Sequence, residues 1–111
     1  MVTQASGSVI VAPSVLAQLV HLAVTEVPGV ARMGWAPAAS ALNATLYHGI
    51  VVKVADEQVT ADCYIIAKLD TNLLELGVTV QATAAAVIQD MVGLGVREVN
   101  VYIQDVEVPR G

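Results

Sequence analysis

The chemistry-bearing side chains of this chain are few and scattered. Its one thiol is Cys63 and its two imidazoles are His21 and His48. A thiol nucleophile needs a base in reach and a group that stabilises the thiolate. Cys63 instead falls on the alternating face Val59, Ala61, Cys63, Ile65, where a free cysteine behaves as a small core hydrophobe. As metal ligands the histidines are poorly spaced: His21 and Glu26 stand five positions apart, which on a helix turns them through roughly 140° and off a common face. Asp56-Glu57 reads as a solvated turn tip and not as an acid/base dyad. Gly93-Leu94-Gly95 follows a predicted helix instead of leading from a strand into one, so its glycines read as helix termination and not as a phosphate loop. No catalytic residue, metal site or cofactor site is expected.

Composition narrows the partners. The chain has 111 residues, 56% hydrophobic and 14% charged, with five basic against ten acidic residues for a net charge of −5. That leaves little material for the phosphate-neutralising patch on which nucleic-acid affinity rests. Charges, Pro, Gly, Asn or Thr interrupt every apolar run before the roughly 18 residues a membrane-spanning helix needs. The start MVTQASGSVIV shows no basic region and apolar stretch of the secretory kind, and a single cysteine suits a reducing compartment. These features predict a soluble, cytoplasmic chain without a direct membrane span.

The elements that must position these side chains follow from periodicity. Pro13 opens a helix to about Glu26, with Val15, Leu16, Leu19, Val20, Leu22, Ala23 and Val27 at helical spacing and His21 on the narrow wet face. Pro28-Gly29 then turns the chain toward a strand from Val30 to Trp35. Ile50, Val52 and Val54 alternate with Val51, Lys53 and Ala55, and pair as an antiparallel hairpin with the run from Val59 to Lys68. A second helix is predicted from about Asn72 to Val92, capped by Asp70, Thr71 or Asn72 and stopped by Gly93. A last strand carries Val99, Val101 and Ile103 on one face. Ser8 to Val11 is a further candidate strand, and residues 36 to 46 read as a small-residue loop or strand extension. The result is one domain over 1–111: an α+β two-layer sandwich, two helices on one face of a small, mainly antiparallel sheet, in the order β-α-β-β-β-α-β.

The second helix is wider in its apolar arc than a sheet requires. Leu73, Leu76, Val80, Ala84, Val87 and Met91 form one stripe, and Leu74, Val78, Ala85, Ile88 and Val92 a second beside it, covering roughly 200°. Either the helix is buried on two sides or one stripe meets another molecule. Trp35, between Gly34 and Ala36-Pro37, either folds over the core or anchors a partner. Trp35, Leu74, Val78, Ala85 and Val92 are therefore the candidate interface.

Four landmarks stand in order along the chain: Gly7-Ser8-Val9-Ile10-Val11, Glu26-Val27-Pro28-Gly29-Val30, Gly49-Ile50-Val51-Val52, and Gly93-Leu94-Gly95-Val96-Arg97-Glu98-Val99-Asn100-Val101. From about residue 7 to 106 this arrangement resembles the bacterial alkaline-shock-protein family, also called the Gls family of general and envelope stress proteins. The resemblance implies a non-enzymatic cytoplasmic protein of cell-envelope homeostasis, prone to self-association, in some members held near the membrane by a separate membrane-anchored partner. Lys68-Leu69-Asp70 departs from the Tyr-Gly that members often carry before the second helix. The leading expectation is a scaffold or adaptor that forms a homo-oligomer. The alternative is a module that binds a small apolar ligand or acyl chain between sheet and helices.

Overall fold

A computed structural model describes residues 5–109 of the chain. Helix α1 spans Pro13–Thr25, followed by strand β1 (Val30–Met33), a 3-10 turn (Ala38–Ala41), β2 (Thr45–Tyr47), β3 (Ile50–Ala55), β4 (Gln58–Lys68), helix α2 (Leu73–Ala86), a π-helical continuation (Val87–Val92) and β5 (Gly95–Glu107). Both helices lie on one face of a five-stranded sheet. The α+β sandwich is thus the observed architecture. The leading strand expected at Ser8 to Val11 does not form: Val9 and Ile10 are 96% and 87% exposed, with no neighbouring strand to bond them. A strand without a pairing edge has nothing to hold it extended. The stretch 36 to 46, expected as a loop or strand extension, contributes the 3-10 turn and the start of β2.

Local chemistry explains the joints. Val30 N–H donates to Val27 O at 3.1 Å across Pro28 and Gly29, with Gly29 at φ +100°. This is the pattern of a type II turn, with proline at its second position and glycine at its third. The hairpins β2–β3 and β3–β4 close on the two-residue turns His48-Gly49 and Asp56-Glu57, all four residues at positive φ. Primed turns of this kind match the twist of the flanking strands. Asn72 caps α2 by accepting Glu75 N–H at 3.0 Å, and Gly93, at φ 77°, ends the helical segment.

Strand β4 is the axis of the sheet. Along one edge it pairs antiparallel with β3 over Gln58–Cys63 and with β1 over Ile65–Ala67; along the other it runs parallel to β5 over its full length. Three of the four pairings are antiparallel, and the parallel one needs the long crossover that α2 supplies. Leu16, Val20 and Val24 of α1 and Leu76, Val80 and Ala84 of α2 meet Ile50, Val52, Val59, Ala61, Cys63, Ile65 and Ala67 in one core cluster. Val51, Tyr64 and Ile66, on the reverse face, are buried as well. There the segment after β1 crosses the sheet, with Ser40 Oγ 3.0 Å from the Tyr64 hydroxyl.

Candidate interaction surface

The sheet accepts one stripe of α2. Leu76, Val80, Ala84 and Val87 are buried, while Leu74 is 80% and Val78 56% exposed. Ala85 is half-buried beside them. Their neighbour is β5, which among the described residues is an outer strand paired only with β4. A groove of about 240 Å³ runs between Leu74, Gly77 and Val78 on α2 and Val101 and Ile103 on β5. It continues into a second, of about 420 Å³, where Val78, Ala82 and Ala85 face Val96 to Val99. Contiguous exposed apolar surface of this sort marks interaction sites more often than isolated exposed residues do.

Three residues of the two predicted stripes are placed differently. Ile88 is fully buried, Val92 is half-buried against the core, and Met91 is 64% exposed. The cause is the π-helical turn from Val87 to Val92. Its wider turn takes an extra residue and rotates the face, so Ile88 swings in and Met91 swings out. Leu73, at the first turn of α2, is also exposed.

Trp35 is not part of this surface. It is 61% exposed, and its backbone is held by the Gln104 side chain: Trp35 N–H donates to Oε1 at 3.0 Å and Nε2 donates to Trp35 O at 2.8 Å. Gly34 leaves room for that amide, which a methyl group there would strike. The two grooves along α2 contain no part of Trp35.

Among the described residues the titratable groups form no nucleophile–base pair. Cys63 is buried among apolar residues, and desolvation, aided by the Asp62 charge, pushes its thiol up to about 12. It therefore stays protonated at physiological pH, and the imidazoles lie elsewhere. His21, His48 and Tyr47 form an aromatic cluster, with the His21 and His48 ring centroids 5.6 Å apart and His21 Nδ1 3.3 Å from the His48 carbonyl. Together with Arg32 they line a groove of about 560 Å³. Sequence reasoning missed this cluster because its members sit on a helix and on a hairpin turn that only the tertiary fold brings together. Among the described residues no three His, Cys, Asp or Glu side chains stand close enough to hold a metal ion. Among the same residues no helix is long and apolar enough to cross a membrane.

The chain is 25% identical over 108 residues to the uncharacterized protein Spy1535 of Streptococcus pyogenes, covering 96% of this chain and 84% of that one. It is 29% identical over 105 residues to the uncharacterized protein YqhY of Bacillus subtilis, covering 91% and 78%. In fold it is similar to a zinc form of a substituted MamM CTD, with a TM-score of 0.57 at 14% identity over 87% of this chain and 86% of that one. The model of the alkaline-shock-protein family, described as having a cell envelope-related function, matches residues 1–108, and the chain belongs to that family.

Proposed function

We propose that this protein is a non-enzymatic cytoplasmic scaffold or adaptor of cell-envelope homeostasis, acting through self-association and protein partners, a membrane-anchored one among them. The observation that carries this reading is the stripe of exposed Leu74 and Val78 with half-buried Ala85 beside an outer strand. Burying a leucine or valine side chain contributes about 1.5–3 kcal/mol, so a few such residues offset much of the cost of association. The enclosed, protonated Cys63 supports a non-catalytic role. Sedimentation at micromolar concentration tests the proposal. Oligomers are expected for the wild type and monomers for Val78→Glu, at an exposed position, and for Ala85→Glu, at a half-buried one whose folding circular dichroism checks. A wild type that stays strictly monomeric, with variants indistinguishable from it, removes the basis of the reading.

A further inference from the structure

Resting on the self-association reading, we infer that the partner is a second copy of this chain whose β5 pairs antiparallel with β5 across a twofold axis at Val101, joining two five-stranded sheets into one.

The backbone on the outer edge carries the inference. Tyr64 directs both its main-chain groups away from β5: its N–H donates to Gly49 O at 2.9 Å and its C=O accepts from Gly34 N–H at 2.8 Å. Its neighbours Cys63 and Ile65 consequently face β5, opposite Val101 and Ile103. In a parallel ladder such residues bond the positions flanking their partners, here Asn100, Tyr102 and Gln104. The N–H and C=O groups of Val99, Val101 and Ile103 point outward. One of them has a side-chain partner, since Gln81 Nε2 donates to Val99 O at 3.2 Å from α2. Irregularities in register at Arg97 and Gln104 bracket this run.

These three outward residues are symmetric about Val101. An antiparallel copy centred there sets Val101 opposite Val101 and Val99 opposite Ile103 in both directions, which forms six main-chain hydrogen bonds, with Gln81 released from Val99. Centring on Asn100 would set Ile103 against Arg97, and centring on Tyr102 would set Val99 against Asp105. The Val101 register instead keeps all three outward residues of both copies within the run bounded by those irregularities.

The flanking surfaces agree with that register. The run Val99 to Ile103 carries no charge, and an uncharged outer strand is a template for another strand. The side chain of Asn100 is satisfied within the chain by Asp62 Oδ1 at 2.9 Å, and Tyr102 stacks on Tyr64 with centroids 4.6 Å apart. Same-face pairing brings the two α2 helices together side by side. Val78, which lines both grooves and reaches Val101 in one, then lies nearest the axis.

Amide hydrogen exchange by NMR from micromolar to millimolar concentration, read with sedimentation, tests the inference. Protection of the Val99, Val101 and Ile103 amides is expected to rise with the dimer population. Val101→Pro removes the outward N–H at the axis while leaving the bonds to β4 in place, as an edge strand tolerates, and is expected to weaken the dimer at least tenfold. Association with those three amides still exchanging freely overturns edge pairing and leaves self-association standing. A strict monomer overturns both. Protected amides with a dimer unchanged by Val101→Pro overturn the Val101 register.

Discussion

The side-chain amide of Gln104 grips the backbone of Trp35 from both sides, donating to its carbonyl at 2.8 Å and accepting its N–H at 3.0 Å. The two residues belong to β5 and to the segment after β1, on opposite sides of β4. A single amide thus ties the outer strand to the covering of the reverse face.

Replacing that amide should loosen the covering. Gln104→Ala removes two partly exposed hydrogen bonds and is expected to cost about 1–2 kcal/mol. Gln104→Glu keeps the shape but sets a carboxylate oxygen against the Trp35 carbonyl, and should destabilise as much. Urea unfolding measures the cost. Trp35 is the only tryptophan, so its fluorescence reports the release directly, as a red shift in the native state.

Burial of Cys63 makes alkaline stability pH-dependent. Its thiol rises from about 9 to about 12 on folding. A raised folded-state value means that the stabilisation is complete below the unfolded value and is lost as pH climbs toward the folded one. Stability should therefore fall between about pH 9 and pH 12, by an amount on the order of 4 kcal/mol at most. Cys63→Ala is expected to flatten this part of the profile, as followed by denaturant midpoints against pH. At neutral pH the thiol should react with a maleimide only as fast as the protein opens.

The π-helical turn separates two residues of similar size. Ile88 is fully buried and Met91 is 64% exposed. Ile88→Ala is expected to cost about 2–5 kcal/mol and Met91→Ala less than about 0.5 kcal/mol. Equal costs in chemical denaturation would mean that the helix continues with ordinary α periodicity through Val92.

Alternation and turn chemistry made most of the fold legible in the chain itself. The β3–β4 hairpin could be read from period-two hydrophobicity around Asp56-Glu57, and the ends of the second helical segment from the capping run Asp70 to Asn72 and from Gly93, because each depends on residues within a few positions of one another. The same local reading failed at Ser8 to Val11, where a strand-like pattern has no edge to bond. It failed again at Met91, since a change of helical pitch leaves no mark in residue type. Leu74, Val78 and Ala85 could be named as surplus apolar surface from the helical arc alone, but Val92 could not be separated from them.

What the sequence determined by itself is therefore most of the elements, the periodicity of each and the family, all of which rest on spacing along the chain. The tertiary structure alone decided that β5 runs parallel to β4 and has an open outer edge, that α2 lays its second stripe beside that edge, and that Trp35 is held apart by Gln104. The reason is physical: which strand neighbours which, and which edge stays unpaired, depends on contacts between residues far apart in the chain. Such contacts form only when the whole core closes.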